Sequence, residues 1–503
     1  MDLHFNLVDE PWLPCVRDDG TSVELGLYDA LTQAHILREL HGETPLGTAA
    51  LHRLLLAVLH RLFGPKNKRA WSRLWQGGRW DETALQDYFD QWRPRFDLFD
   101  DDYPFYQSPE PPGTPEPLNR LFLPLGYNST LFEHQLADGS LTVPAAQVAR
   151  WIVTMQASGI GTGPPSNPYP AGPLINAMIV MPQGQTLFET LIFNFIEYHD
   201  DKPIPALEDD KPIWEYDENP FPPDPKTFYL PGYLGYLTWQ SRTIHLLPEW
   251  ENGEIRVREC YLSQGARWDN RAIEDPMKVY VRDDKWGMMS LRLRQGKAMW
   301  RDAGTLFQLH QPANIRPPVA FSWLAEHVAS GDLQPSQIYN YLTLGLCNKQ
   351  AKLDFFRHER MPLPLDYLAD ETLSEKLRDA LKIAEGVGTA LRRAGWELAQ
   401  WVVSPTDSRN AYKDDTQLVF SQLNLERRYW SRLEVKFQSF VRDLPQDRHA
   451  ALVDWVKTLQ WTARDAFTEA AEGVSNPIRG LKAVTLARGT LERLMARALE
   501  LEE

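Results

Sequence analysis

After Pro364 the chain leaves itself one economical way to fold. Four long amphipathic segments follow, roughly 373–402, 414–443, 448–471 and 476–501, each with apolar residues at helical spacing. Prolines or polar clusters separate them: Ser404-Pro405-Thr406-Asp407, Pro445 and Ser475-Asn476-Pro477. Pro477 suits the first position of a helix, with Ser475 or Asn476 as its cap. Helices joined by short connections pack antiparallel and bury their apolar seams, so the segment predicts a four-helix bundle over 369–503.

Residues 1–368 read differently. Phe5 to Pro14 predicts an N-terminal strand, Leu46 to Phe63 a helix stopped by Gly64-Pro65, and Ala84 to Phe96 a shorter helix. Val143 to Met155 predicts a helix, Leu174 to Met181 a strand and Thr186 to Ile196 another short helix. Segments of period two at 254–261, 278–281 and 288–293 predict antiparallel strands. Ile338 to Cys347 and Leu353 to Arg357 flank Asn348, Lys349 and Gln350, which predicts a hairpin with those residues at its tip. The fold class expected is α+β: a large mixed domain over 1–368 with antiparallel strands, then the helical bundle.

Between two patterned stretches lies Ser158-Gly-Ile-Gly-Thr-Gly-Pro-Pro-Ser-Asn-Pro-Tyr-Pro-Ala-Gly-Pro173. Four glycines and five prolines in sixteen residues exclude both helix and central strand. A long loop rising from packed structure on both sides is a functional candidate, and glycine lets a backbone come close to a ligand. Gly159, Gly161 and Gly163 look like a nucleotide fingerprint, but no Gly-Lys-Ser/Thr follows and Pro164-Pro165 forbids a helix start. Phosphate cradling is excluded on that ground.

Charge narrows the partners. The net charge is −15, and from Glu371 onward basic and acidic residues balance at 20 each, so the whole deficit lies in the first 370 residues. Such a chain does not hold a phosphate backbone tightly by itself. Within the acidic part, Arg256 to Arg301 carries eleven Lys/Arg against six Asp/Glu, either a local polyanion contact or a solvated strand face. Three scattered cysteines fit a reducing cytoplasm and give no zinc spacing, so neither metal nor cofactor is expected. No run of about 18 apolar residues suggests a membrane span. No hydrolase or metalloprotease motif occurs, and His358 is isolated. Eighteen tryptophans keep open a carbohydrate-active hydrolase with a helical accessory domain, its paired carboxylates drawn from distant positions. A helical scaffold without nucleic-acid contact is a third option.

Several stretches together resemble one family, CasA, the large subunit of the type I-E CRISPR surveillance complex, Cascade. They are Asn6-Leu-Val-Asp-Glu-Pro-Trp-Leu-Pro14, Asp97-Leu-Phe with Tyr103-Pro-Phe-Tyr-Gln107, the glycine loop, Asn348-Lys-Gln-Ala351, Glu426-Arg-Arg-Tyr-Trp430 and Thr485-Leu-Ala-Arg-Gly-Thr-Leu491. The resemblance spans the chain in order. It implies a non-catalytic cytoplasmic subunit that docks on partner subunits and CRISPR RNA. That subunit inspects the protospacer-adjacent motif of double-stranded DNA through the minor groove, starts strand separation and helps recruit a helicase–nuclease. By resemblance, Gly159, Gly161 and Gly163 approach the motif, and Gln350 wedges into the duplex beside Asn348 and Lys349. The stretch where the family places a minor-groove lysine, Tyr261 to Trp268, has none, and Arg267 is the substitute. Phe132-Glu-His-Gln135 resembles a loop that contacts the RNA-handle end, through Phe132 and His134. The loop here is unusually rich in proline, and the cysteine cluster of some members is absent.

Overall fold

The structure is a computed structural model that describes residues 3–109, 113–123, 141–161, 170–205, 209–224, 226–269, 272–309, 313–349, 352–473 and 477–499. It divides into two compact units. The first comprises Met1–Gln295, Gln311–Gln334 and Tyr339–Arg360; the second comprises Gly296–His310, Pro335–Ile338 and Met361–Glu503.

Four small antiparallel sheets are present among the described residues. One sets β1 (Leu13–Arg17) between β2 (Ser22–Leu25) and β3 (Leu37–Leu40). A second is built on β8 (Glu254–Gln264), which pairs with β4 (Glu116–Pro117), β5 (Val143–Pro144) and β7 (Arg242–Glu251). A third has the order β13 (Lys352–Pro364), β12 (Ile338–Lys349), β6 (Ile179–Gln183). In the fourth, β9 (Tyr280–Asp283) lies between β10 (Gly287–Ser290) and β11 (Ile315–Arg316). β7 and β8 form a long hairpin turned by Asn252 and Gly253, both at positive φ (52° and 89°), the pair that matches strand twist in a two-residue turn.

The helices of the first unit are α1 (Leu27–Thr32), α2 (Pro45–Phe63), α3 (Lys68–Gly77), α4 (Glu82–Trp92), α5 (Ala145–Ser158), α6 (Leu187–Phe193) and α7 (Tyr233–Leu237). A later one, α9 (Val319–Ala329), follows α8 (Ala303–Leu306) of the second unit. α2 is the core helix of the first unit: Leu51, Leu54, Leu55, Val58 and Leu59 are all buried, and it packs on α5 and α7. Thr44 caps it by accepting from the Gly47 N–H at 3.0 Å, with Pro45 at its first position. By length and mean hydropathy α2 reaches the measure of a membrane span, although His52, Arg53, His60 and Arg61 interrupt it so that it is no unbroken apolar run. It is nevertheless mostly buried inside the protein and carries the buried Arg53.

Two strand expectations are corrected. Of the strand expected over Phe5 to Pro14, only Leu13 and Pro14 join β1, and the residues before them make an isolated bridge at Asn6. The Asn6 carboxamide oxygen accepts from the Val8 N–H at 3.1 Å and the Asn6 carbonyl from Glu10 at 2.8 Å, so the segment turns instead of extending. The strand expected from Leu174 begins at Ile179, because Asn176 sits at φ 58° and curls the preceding residues.

The second unit is helical: α10 (Asp366–Ala369), α11 (Glu371–Val403), α12 (Lys413–Leu423), α13 (Leu425–Asp443), α14 (Arg448–Glu472) and α15 (Pro477–Leu499). α11 is its axis and packs against α12, α13, α14 and α15. Aromatic side chains seal it through polar tips: Trp455 donates its indole N–H to the Ala380 carbonyl at 3.1 Å and Tyr429 its hydroxyl to Ala384 at 3.0 Å. The segment expected as one helix over 414–443 is two, broken where Asn424 adopts the left-handed conformation at φ 50°.

Candidate nucleic-acid interface

α5 delivers the chain into the glycine loop. Its last turn closes when the Gly159 N–H donates to the Met155 carbonyl at 2.8 Å. Two backbone bonds then tie the outgoing leg to the returning one: Gly172 N–H to the Gly159 carbonyl and Leu174 N–H to Ala157, both 2.8 Å. Further out the legs are joined by a side chain. Arg242, the first residue of β7 and 1% exposed, donates through Nη2 to the Ile160 carbonyl at 2.7 Å and through Nη1 to Pro170 at 2.6 Å and Ser241 at 2.7 Å. A buried guanidinium is tolerable only when hydrogen-bonded, and its planar fork suits several carbonyls at once.

Gln156 fixes the backbone beneath that fork. Its Oε1 accepts from the Arg242 N–H and its Nε2 donates to the Arg242 carbonyl, both at 2.8 Å. Two of the glycines answer to this packing. A Cβ at Gly159 would stand 2.9 Å from the Arg242 guanidinium carbon, and one at Gly172 would stand 2.7 Å from the Ala157 carbonyl carbon. Gly159 is therefore buried at the foot of the loop, whereas Gly161 is exposed. Gly163 lies outside the described residues.

Arg267 reaches the same neighbourhood. The indole N–H of Trp268 donates to Ala171 on the returning leg at 3.4 Å. The Arg267 carbonyl accepts from the Tyr229 N–H at 2.8 Å, and its guanidinium carbon lies 4.2 Å from the centre of the exposed Phe228 ring. Beneath this segment is a buried charge cluster. Asp275 Oδ2 accepts from Arg53 Nη1 at 2.9 Å and from the Tyr236 hydroxyl at 2.8 Å, while the Lys278 ammonium lies 5.7 Å from the Trp268 ring centre. Burial opposes the charge on both members: it pulls Lys278 down to about 8 despite the facing carboxylate. It also opposes ionisation of Asp275, yet Arg53 and Lys278 hold that carboxyl below the usual range.

The described end of β12 runs toward the same side, as register shows. β6 pairs antiparallel with β12, Ile179 opposite Leu344 and Gln183 opposite Asn340. The end of β6 nearest the glycine loop is thus level with the part of β12 leading to the tip. Asn348 and Lys349 continue β12 beyond that point, a reach of about 17 Å from Leu344 at the usual strand rise. Gly345 allows close passage there, since a Cβ would meet Leu293 Cδ1 at 2.4 Å and the Ala177 carbonyl oxygen at 3.0 Å. Gln350 lies outside the described residues, as do Phe132 and His134.

The basic island is not a uniform phosphate-binding face. Lys278 is buried, Arg256 pairs with Glu251 and Glu254, Lys297 pairs with Asp302 at 2.5 Å, and Arg301 grips Glu385 through two nitrogens at 2.8 and 2.7 Å. Arg242 and Lys278 escape sequence reasoning, since nothing in their local pattern marks a buried cation.

The match to known proteins covers the whole of this framework. A family model described as CRISPR-associated protein Cse1 matches residues 6–466. The CRISPR-associated protein CasA/Cse1 of Thermus thermophilus is 32% identical over 98% of this chain and 97% of its own length. A crystal structure of CasA from that organism superposes with a TM-score of 0.83 at 29% identity, covering 98% of this chain and 100% of the other. Cse1 from Acidimicrobium ferrooxidans gives 0.83 at 27% identity, with 99% of each chain covered. A chain of a CRISPR RNA-guided surveillance complex shares the fold, with a TM-score of 0.77 at 22% identity over 97% of this chain and 100% of that one. The chain belongs to the CRISPR-associated Cse1/CasA family, a subunit family of the Cascade surveillance complex.

Proposed function

We propose that this chain inspects a short motif in double-stranded DNA on behalf of an RNA-guided, type I-E surveillance complex, and helps open the duplex next to it. Its partners are the other subunits, the CRISPR RNA and the target DNA, and it helps to recruit the helicase–nuclease that degrades the target. It performs no catalysis of its own and works in the cytoplasm. The observation that carries this reading is convergence: the described legs of the glycine loop, the Arg267–Trp268 segment and the end of β12 lie toward one end of the first unit. Minor-groove readout is degenerate and needs little more than groove width and a few polar or cationic groups, which a glycine backbone and Arg267 supply. Unstacking a step costs a few kcal/mol, and a side chain inserted from the hairpin tip offsets that by holding the bases apart. We assign that insertion to Gln350, with Asn348 and Lys349 beside it, and RNA-end docking to Phe132 and His134. In this division of labour, 1–368 faces the nucleic acid and 369–503 is the helical bundle.

The test compares target binding by the RNA-loaded complex with and without this chain, on duplexes carrying the motif or a scrambled one. Affinity that ignores the motif in the presence of the chain removes the proposal. For the wedge, Gln350→Ala is expected to slow opening of linear duplex severalfold and to spare binding to a pre-opened target. Equal loss on both substrates contradicts the wedge.

A further inference from the structure

We infer that Arg242 is a positioning residue for the DNA-facing loop: by holding the outgoing and returning legs at a fixed separation, it sets how strictly the motif is discriminated. The inference rests on the motif-reading function proposed above. The two backbone bonds between the legs, Gly172 to Gly159 and Leu174 to Ala157, fasten only the foot of the loop. Beyond them, at Ile160 and Pro170, the described tie is the Arg242 fork, with 2.7 Å to one leg and 2.6 Å to the other. The foot can therefore stay closed without the guanidinium, while the outer legs lose a cross-link. Motif readout by backbone depends on where the loop's peptide groups stand, so a loosened loop meets matching and mismatching grooves with less difference between them.

Lysine cannot replace this fork. Its single ammonium lacks the planar pair of nitrogens that faces two carbonyls on opposite sides. The packing of Gly159 against the guanidinium, a Cβ there falling 2.9 Å from its central carbon, shows the loop shaped around arginine in particular. Arg242 also lines a cleft of about 1010 Å³ together with Tyr103, Tyr106, Thr243 and Gln264, the side from which a small cation would approach once the side chain has been removed.

The experiment uses the assembled complex carrying Arg242→Lys or Arg242→Ala. Three quantities are measured: the affinity ratio between motif and scrambled duplexes, affinity for a pre-opened target, and the thermal midpoint of the subunit. Arg242→Lys is expected to cut the ratio about tenfold, the scale of lost charge-assisted hydrogen bonds, and to leave affinity for the pre-opened target near its parent value even where the thermal midpoint falls. In Arg242→Ala, millimolar methylguanidinium is expected to restore the ratio, and sodium chloride at equal ionic strength is not. An unchanged ratio in Arg242→Lys overturns the inference. So does a parallel loss of both affinities and of thermal stability without chemical rescue, because that pattern belongs to a merely structural arginine. A parent complex that does not discriminate removes the motif-reading function itself, and the inference with it.

Discussion

Lys278 is the residue whose burial has the clearest consequence in solution. The residue is 5% exposed and its pKa is drawn from 10.5 to about 8 by desolvation, which the attraction of Asp275 only partly offsets. Between those two values the unfolded chain binds more protons than the folded one, so stability rises with pH across roughly 8 to 10.5. Below 8 both states are protonated and the full cost of burying the charge, about 3 kcal/mol, is borne by the fold. Lys278→Met is therefore expected to stabilise the isolated chain by about 1–3 kcal/mol at pH 7, with the gain shrinking toward pH 10. Urea midpoints at both pH values check this, and a gain that grows with pH would contradict it. None of this was legible in the sequence, where Lys278 looks like one more cation of a basic strand. Arg242 was hidden for the same reason. Its partners are carbonyls, which leave no mark on side-chain composition, whereas the glycines it packs against were conspicuous.

Among the elements, α11 shows why periodicity reveals helices better than it reveals their contacts. Its amphipathic pattern marked it out, yet what α11 buries depends on two glycines a heptad apart. A Cβ at Gly388 would come within 2.9 Å of Trp430, and one at Gly395 within 2.1 Å of Leu425 Cδ1. Alanine improves helix propensity by up to about 1 kcal/mol over glycine, but overpacking a filled interface costs about 1–3 kcal/mol, so packing wins here. Gly395→Ala should lower the unfolding midpoint, while Gly489→Ala on α15, where a Cβ meets nothing within 4 Å, should raise it. Calorimetry of the two variants separates the effects, and a stabilised Gly395→Ala refutes the close approach. The β12–β13 hairpin was equally legible, because two β-prone runs flank a short polar break. The division between α12 and α13 was not, since Asn424 interrupts an otherwise continuous apolar stripe with a single left-handed residue. The N-terminal strand was misread for a related reason: Asn6 satisfies nearby N–H groups locally and removes the need for a ladder.

At the scale of the whole molecule, a net charge of −15 must be reconciled with the proposed DNA-facing role. Nonspecific affinity for duplex follows the number of phosphates neutralised, and each contact adds about 0.9 to the slope of log K against log salt. Part of the basic island is spent on internal partners, such as Glu254, Asp302 and Glu385, and that part adds little to the slope. The described cation best placed beside the glycine loop is Arg267, half-buried over Phe228. If it leaves that ring for DNA, Arg267→Gln in the assembled complex should reduce the salt slope by about one and weaken binding severalfold. The measurement is affinity for motif-bearing duplex over a series of salt concentrations, with the parent complex alongside. An unchanged slope would mean that Arg267 stays on Phe228 and that the loop works through its backbone alone. On the proposed function, a chain of net charge −15 leaves the bulk of the electrostatic attraction to the subunits and RNA around it.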